Sequence, residues 1–469
     1  MIELPEEWIE TSLSEVVQIN PKSVLDGDLT IGFTPMAMVP TAYHGTIQFE
    51  EKLWLKAKKG YTRFQDGDVL FAKVTPCFEN GKAALVSGLP NGMGAGSTEY
   101  FVLRPYGAYV EPKYLLALVK TREFMRNGAL NMTGSVGLKR VPKDFVKSYP
   151  IPLPPLAEQK QIAAKLDELL AQVDTLKTRL DAIPSILKRF RQSVLAAAVS
   201  GRLTEEWRNT HNAYDWKEEK IDDLVNVING KAFPSKDYQA SGVKLLRPGN
   251  LHVSGNVVWN DKNTTYIPDN WLEKRPELIL QQNALLMNLT AQSLKDEFLG
   301  RVCILEESGD VLLNQRICSF ESKLKYDIKS YLYIYFKSPL FREYVATLDS
   351  GSLIKHLNVK DVKSYSVLLP SESEQSEIVR RVEQLFSFVD QIEQRVKDAE
   401  SRVNHLTQSI LTKTFRGELT AEWREQNPDL ISGENSAQAL LEKIKVERVE
   451  AAKQKKPVRR TIKKRVIRP

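Results

Sequence analysis

Side chains able to recognise nucleic acid recur at corresponding places in the two halves of this sequence. These candidates are basic, amide or hydroxyl residues around a repeated framework of turns: Lys73, Thr75, Lys139 and Arg140 in the first half, and Arg247, Asn250, Asn288, Thr290, Gln315, Arg316, Lys355 and His356 in the second. Arg, Lys, Asn and Gln present paired donors and acceptors that distinguish base edges in the major groove. We interpret the set as candidate DNA-binding residues, and ordinary solvated surface is the alternative for each residue taken alone.

Signatures of catalysis are missing from the sequence. It contains no Walker-type phosphate loop, no Gly-x-Ser-x-Gly elbow and no His-Glu-x-x-His pair. It also lacks the Asn/Asp-Pro-Pro-aromatic tetrapeptide with which an amino-methyltransferase grips a flipped adenine. The glycine-rich run at 92–96 has no strand-turn-helix context, so we predict a turn there. We therefore expect no catalytic, cofactor or metal site in this chain.

The distribution of charge restricts where a polyanion could bind. The 469 residues have a net charge of +7, but residues 451–469 carry nine Lys and Arg and no acid. The remaining chain therefore has 57 basic and 59 acidic residues, a balance of −2. A nucleic-acid surface in the body must be a local patch.

Cysteine usage and hydropathy indicate the compartment. Three cysteines without metal-ligand spacing are typical of a reducing compartment. The start of the sequence carries acids where a signal peptide would carry basic residues, and no run of about 18 apolar residues occurs. We expect a soluble cytoplasmic protein.

Two globular units must position the candidate residues. Short β-type segments at 69–74, 83–86 and 100–103 alternate with turn clusters, and a helical pattern covers 112–125. The same order begins again near Trp216 with different residues between the framework positions. We interpret each unit as a mixed α+β domain of about 150 residues.

Two heptad seams, 216 residues apart, predict long helices. Their apolar residues follow alternating steps of four and three: Ile162, Leu166, Leu169, Val173, Leu176 and Leu180 in the first copy, and Ile378, Val382, Leu385, Val389, Ile392 and Val396 in the second. Two equal seams can bury each other in a coiled coil. Packing of each helix on its own globular unit is the alternative.

Helix boundaries are signalled by proline before each seam and glycine after it, at Pro154-Pro155 and Pro370, and at Gly201 and Gly417. Pro184 lies inside the first seam and is expected to kink or end the helix near Ile183. A shared motif follows each glycine, GRLTEEWR at 201–208 and GELTAEWR at 417–424. We interpret this motif as a C-terminal cap or as a surface for a partner.

Several of these segments resemble specificity subunits of type I restriction-modification enzymes. The resemblance covers nearly all of residues 1–425 through LPEEW at 4–8, STEYFVLRP at 97–105 and PPLAEQ at 154–159. The second copy departs from the pattern with PSESEQ at 370–375 and with NQR at 314–316 in place of STE. The long second spacer, terminal helix and basic tail are similar to the type IA branch.

The resemblance implies an α+β fold with two similar mixed α/β target-recognition domains, separated by two long antiparallel helices that form a coiled coil, with a pseudo-twofold internal repeat. The expected division is target-recognition domain 1 at 1–153, helical spacer 1 at 154–200, target-recognition domain 2 at 201–366, helical spacer 2 at 367–416, and a C-terminal helix with a basic tail at 417–469.

The resemblance also implies a non-catalytic DNA-sequence-specificity subunit that binds a bipartite double-stranded DNA target. Its partners would be two modification (methyltransferase) subunits and restriction (translocase/nuclease) subunits. No membrane is expected among its partners. S-adenosylmethionine, ATP and Mg are expected on the partner subunits and none in this chain. The alternatives are a structural coiled-coil scaffold without DNA recognition, and an enzyme with an unrecognised nuclease or methyltransferase site.

Overall fold

The computed structural model describes residues 4–23, 29–57, 59–135, 137–294, 296–348 and 354–454. The chain divides into two compact units, unit 1 (Met1–Asp181 and Asp398–Pro469) and unit 2 (Ala182–Lys397). Each unit contains one mixed α/β domain and part of each long helix. Most of the predicted basic tail, at 455–469, and the Gly-Ser pair at 351–352 lie outside the described residues.

The domain of unit 1 is built on two four-stranded sheets. Its strands are β1 Ile9–Ser12, β2 Val17–Ile19, β3 Thr30–Thr34, β4 Glu50–Leu53, β5 Thr62–Gln65, β6 Val69–Ala72, β7 Ala83–Leu85, β8 Met93–Gly96, β9 Tyr100–Pro105, β10 Thr133–Ser135, β11 Leu138–Arg140 and β12 Pro150–Leu153. Its helices are α1 Leu13–Val16, α2 Trp54–Ala57, α3 Pro112–Val119, α4 Arg122–Leu130 and α5 Lys143–Ser148. The sheets have the strand orders β2-β9-β6-β7 and β4-β3-β8-β5.

The long helix α6 (Leu156–Val199) leads into unit 2, whose domain repeats this architecture. Its strands are β13 Lys217–Lys220, β14 Val225–Asn229, β15 Val243–Leu246, β16 Tyr266–Ile267, β17 Ile279–Leu280, β18 Ala284–Asn288, β19 Thr290–Ala291, β20 Val302–Leu305, β21 Val311–Leu313, β22 Ile317–Ser322, β23 Lys355–His356 and β24 Ser366–Leu369. Its helices are α7 Glu205–His211, α8 Ile221–Leu224, α9 Asn270–Lys274, α10 Lys329–Lys337, α11 Pro339–Thr347 and α12 Val359–Ser364.

Sheet topology confirms the internal repeat. The strand orders β14-β22-β18-β20 and β16-β15-β21-β17 match those of unit 1 position by position. Both copies also share an unusual detail, because β3 pairs with β8 in parallel and β15 pairs with β21 in parallel. A second long helix, α13 (Glu372–Phe415), then returns the chain to unit 1, which ends with α14 (Ala421–Gln426) and α15 (Ala437–Gln454).

The predicted turn at 92–96 is wrong, since residues 93–96 form the buried strand β8. Glycine is required there by close packing. A Cβ on Gly94 would lie 2.2 Å from the Phe64 ring, and one on Gly96 would lie 2.3 Å from the carbonyl oxygen of Thr34. The run of glycines therefore reflects tight contacts within a sheet.

The single helix expected at 112–125 is instead two helices, α3 and α4. The hydroxyl of Thr121 accepts a hydrogen bond from the backbone N–H of Phe124 at 3.1 Å, which caps the start of α4. Threonine is a favoured N-cap residue because its side chain satisfies one of the free N–H groups of the first turn.

We expected Pro184 to kink or end the helix near Ile183, and the second of these outcomes is wrong, since helix α6 continues through Pro184 to Val199. Proline removes one hydrogen bond to the carbonyl four residues earlier. Pro184 itself is exposed, and Leu180, which carries that carbonyl, is half-buried. The two helices cover 44 residues each and lie within the predicted spacer segments.

The long helices are antiparallel, as contacts within each unit show. In unit 1 the start of α6, with Ile162 and Leu166, shares a core with Ile410 and Leu411 at the end of α13. In unit 2 the end of α6 shares a core with the start of α13, through Val194, Leu195, Ala198, Val199, Ile378 and Val382. Domain residues complete both cores, so each helix end also packs on a globular unit.

Burial of the predicted seam varies along the helices. Ile162, Leu166, Val173, Ile378, Val382, Val389 and Val396 are buried, and Leu169, Leu180, Leu385 and Ile392 are half-buried. Leu176 is the exception, with 45% of its surface exposed. Leu170, which lies outside the predicted seam, is buried in the core of unit 1.

Each unit contains a buried glutamate that accepts hydrogen bonds from residues far apart in the sequence. In unit 1, Glu158 at the start of α6 accepts hydrogen bonds from Trp8 Nε1 at 2.8 Å, Thr420 Oγ1 at 2.7 Å, and Arg424 Nε and Nη2 at 3.0 and 2.9 Å. Arg424 Nη2 also donates to the carbonyl oxygen of Gly417. The cluster ties the N-terminal segment, α6 and the segment after α13 together.

Unit 2 has the same cluster around Glu374. Its donors are Trp216, Thr204 and Arg208, and Arg208 also donates to the carbonyl oxygen of Gly201. Gly201 and Gly417 have positive φ angles, which confirms their predicted role at the helix ends. The shared motif after each glycine therefore supplies the threonine and arginine that bind the buried glutamate.

Candidate nucleic-acid interface

Three segments of unit 1 lie side by side at the end of β6. The backbone N–H of Lys73 donates to the carbonyl oxygen of Glu99 at 2.8 Å, and the N–H of Val141 donates to that of Lys73 at 2.8 Å. Two residues further, the N–H of Thr75 donates to the carbonyl oxygen of Lys139 at 3.0 Å. The structure thus brings the four candidate residues of this half together, and we name this group strand-end site 1.

The side chains of strand-end site 1 include an acid that the sequence analysis missed. Arg140 Nε lies 2.9 Å from Glu99 Oε2, and Arg140 Nη2 lies 2.8 Å from Glu99 Oε1. Lys73 Nζ lies 4.0 Å from the same carboxylate. The hydrogen bonds from Arg140, with a smaller effect of the Lys73 charge, hold the pKa of Glu99 below its ordinary value. A single Glu beside the β-type segment at 100–103 gave no signal of this partnership.

The remaining two residues of strand-end site 1, Thr75 and Lys139, differ in whether their side chains are bound by other residues. Thr75 is committed locally, since its hydroxyl donates to the carbonyl oxygen of Gly137 at 3.3 Å and accepts from the N–H of Lys139 at 3.1 Å. Lys139 is exposed, and its ammonium has no partner in the described part of the chain. It is the cation of this site best placed to meet a ligand from solvent.

Unit 2 has an equivalent arrangement, strand-end site 2, at the end of β18. The N–H of Leu289 donates to the carbonyl oxygen of Arg316 at 2.9 Å, and the N–H of Leu357 donates to that of Leu289 at 2.9 Å. Next to them, Thr290 pairs with His356 in the β19–β23 ladder. These bonds repeat those of strand-end site 1 and define which residues correspond.

The correspondence shows one scaffold carrying different side chains. Position 289 holds Leu where position 73 holds Lys, and position 316 holds Arg where position 99 holds Glu. His356 stands at the place of Arg140, and Lys355 at the place of Lys139. The ladder also aligns Thr290 with position 74, one residue from its expected match with Thr75. The carboxylate of the first site is thus replaced by a guanidinium in the second.

Strand-end site 2 exposes several polar groups. Arg316 and Gln315 are exposed, and neither side chain has a hydrogen-bond or ion-pair partner among the residues that the structure describes. His356 is also exposed, whereas Lys355 and Thr290 are half-buried. The structure therefore brings five of the candidates of the second half to one place.

Two amide candidates lie in the interior. Asn288 is wholly buried, and its Nδ2 donates to the carbonyl oxygens of Thr290 at 2.7 Å and Phe298 at 2.9 Å. Asn250 is wholly buried as well, and its Oδ1 accepts from the backbone N–H of Arg247 at 2.9 Å. We correct their interpretation: both amides bind backbone groups of loops and are buried away from a base, including Asn288 Oδ1, which has no hydrogen-bond partner among the described residues.

Arg247 belongs to the other sheet of unit 2, directly after β15. Its Nη1 donates to Thr265 Oγ1 at 3.0 Å, and its guanidinium lies 5.5 Å from the centre of the Tyr238 ring. The residue is exposed. Arg247 is thus held by an aromatic ring and a hydroxyl in a part of the domain separate from the β19–β23 ladder.

The described residues contain no cluster of potential metal ligands. No set of three His, Cys, Asp or Glu there could hold a metal ion. Burial raises the pKa of the Cys303 and Cys318 thiols to about 12, which keeps both protonated near neutral pH. No described helix is both long and apolar enough to cross a membrane.

Comparison with known proteins identifies relatives of one kind. A family model described as type I restriction modification DNA specificity domain matches residues 5–185 and again 214–400. The specificity subunits of the type I restriction enzymes EcoBI, from Escherichia coli, and EcoKI, from E. coli strain K12, are each 42% identical to this chain. The alignments cover 67% of this chain and 68% of the EcoBI subunit, and 69% of this chain and 69% of the EcoKI subunit.

Solved structures agree with this fold. A chain from a structure of a type I R-M system has a TM-score of 0.69 at 21% identity, covering 89% of this chain and 99% of its own length. The HsdS subunit from Thermoanaerobacter tengcongensis has a TM-score of 0.57 at 20% identity, covering 89% of this chain and 98% of that chain. At these identities the likeness concerns the fold alone.

Proposed function

The chain belongs to the family of type I restriction-modification DNA specificity subunits, and on this premise we propose that it reads a bipartite double-stranded DNA sequence, one half-site per domain. The observation that carries the proposal is the pair of strand-end sites. They share their backbone hydrogen bonds but differ in the residues at positions 73, 99 and 140 and their counterparts. A repeated scaffold with varied polar side chains is what reading two different half-sites requires.

The local charge of the strand-end sites supports contact with DNA. Lys73, Lys139 and Arg140 outnumber the single acid Glu99 in strand-end site 1, and strand-end site 2 holds the cation Arg316 at the position of Glu99. The chain outside residues 451–469 has a balance of −2. Attraction to phosphates must therefore come from such patches, and it should weaken steeply with salt because bound counterions are released.

The same membership supports a division of labour with other subunits. In this proposal the chain is non-catalytic and acts in the cytoplasm with two modification subunits and with restriction subunits. S-adenosylmethionine, ATP and Mg are placed on those partners. Their proposed docking surface is on the long helices, where Phe190 is 39% exposed and its repeat counterpart Leu406 is 45% exposed. The internal repeat relates these two exposed positions, as docking of two copies of one partner would require.

Footprinting of the chain together with its modification subunits tests the proposal. The expected result is two protected half-sites separated by an unprotected or sequence-independent gap. A footprint without sequence preference would favour a scaffold that does not read DNA. Methylation or cleavage of DNA by this chain alone would favour an unrecognised enzymatic site.

A further inference from the structure

The inference concerns how the first half-site is read, and it rests on the proposed function. In strand-end site 1 the guanidinium of Arg140 is held along one edge. Its Nε and Nη2 face the two carboxylate oxygens of Glu99 at 2.9 and 2.8 Å, the parallel two-bond geometry of the strongest Arg–carboxylate pairs. Glu99 is itself fixed, because its backbone carbonyl oxygen accepts from Lys73.

The held guanidinium keeps an unused edge. Arginine has five N–H donors in a planar fork, and Glu99 takes one from Nε and one from Nη2. Both donors of Nη1 and one donor of Nη2 have no partner in the described residues. The side chain of Arg140 is 42% exposed and that of Glu99 is 23% exposed. The outer Nη1/Nη2 edge is therefore oriented and accessible from solvent.

Charge favours a base over a phosphate as the ligand of this edge. Glu99 offsets the charge of Arg140 and so weakens the Coulombic attraction of this guanidinium to a phosphate, while the charge of Lys73 lies 4.0 Å from the same carboxylate. The hydrogen-bond donors of Arg140 remain, and they match the paired acceptors O6 and N7 of guanine. Lys139 next to Arg140 carries a charge on a long side chain that has no partner among the residues the structure describes, which suits a phosphate oxygen.

We propose that Glu99 is a positioning residue, which presents the outer edge of Arg140 to a guanine in the half-site read by unit 1. The second domain lacks this arrangement, since it holds Arg316 at the place of Glu99 and His356 at the place of Arg140. The guanine contact is thus a property of the first half-site. Loss of a bidentate arginine contact lowers discrimination about 5- to 150-fold at one base pair.

The test measures sequence preference with the modification subunits present and a DNA library randomised in both half-sites. Glu99→Gln and Arg140→Lys should each lower the preference for guanine at the same single position of the first half-site, by about 5- to 150-fold. The second half-site should stay unchanged in both variants, which also reports that the protein is folded. Lys139→Gln should weaken binding to all sequences alike, and Arg316→Gln should alter only the second half-site.

Two results would overturn the inference. If Glu99→Gln and Arg140→Lys weaken binding uniformly and leave every base preference intact, Arg140 contacts a phosphate. If the two variants affect different positions, Glu99 does not act through Arg140. In both cases the two half-sites of the wild-type complex would leave the proposed function standing, whereas a wild-type complex without half-sites would contradict both.

Discussion

Replacing Glu158 by Gln should destabilise unit 1 strongly. Glu158 is wholly buried and accepts four hydrogen bonds, two of them from Arg424, whose side chain is only 12% exposed. The amide keeps one acceptor oxygen but loses the charge and turns N–H donors toward other donors. Removing the buried carboxylate from such a pair costs about 3–5 kcal/mol in the free energy of unfolding. Glu7, the other acid near Arg424, lies 3.9 Å away and is 40% exposed, so it offsets only part of this cost. For a unit of this size, that corresponds to about 6–20 °C in Tm.

Differential scanning calorimetry of the purified chain measures this loss. Glu374→Gln should act in the same way on unit 2, because Arg208, Thr204 and Trp216 surround it equivalently. Asp144→Asn is the matched control, since its ion pair with Lys147 is exposed and such pairs contribute little. The reasoning is refuted if Glu158→Gln lowers Tm no more than this control does.

Three further predictions address pH, partners and spacing. Burial lowers the pKa of Lys120 from 10.5 to about 7. Between these pH values the unfolded chain binds more protons than the folded chain, so the stability that this residue contributes rises with pH. In urea unfolding from pH 7 to 10, the free energy of unfolding of the wild type should rise relative to that of Lys120→Met, and a constant difference would contradict this. Phe190→Asp and Leu406→Asp should each weaken binding of one modification subunit in titration calorimetry, with Lys188→Asp as an exposed control; unchanged binding would count against the helical docking surface. Inserting one heptad within 378–410 should change the gap between methylated half-sites and neither half-site sequence, and altered half-sites would argue against a spacer.

Much of the fold follows from patterns that are local in sequence. The heptad steps and the 216-residue repeat predict both long helices, and the glycines at their ends have the expected positive φ angles. Local patterns fail where tertiary contacts decide. The glycines at 94 and 96 indicate a turn by composition but are required by Phe64 and Thr34 within a sheet. Pro184 removes one backbone hydrogen bond, but the helix continues on both sides of it.

The location of the candidate site could be predicted from the sequence better than the roles of its individual residues. The repeated framework led to both strand-end sites, because it marks where each domain keeps its backbone and changes its side chains. Burial separates Asn250 and Asn288 from the exposed candidates, and burial of an amide in a loop leaves no mark in one sequence. Glu99 was missed because its partner Arg140 lies 41 residues away and is brought near by the ladder at Val74. The assignment to the type IA branch stays a prediction.

Exchange of one recognition domain tests the central claim most directly. Residues 1–153 would be replaced by the corresponding segment of a relative that reads a different target, and the DNA of cells carrying the hybrid and the modification subunits would be sequenced for methylated adenines. We predict that one half of the methylated sequence changes to that of the relative, while the other half and the gap remain. A change in both halves, or in neither, would contradict the account of one half-site per domain.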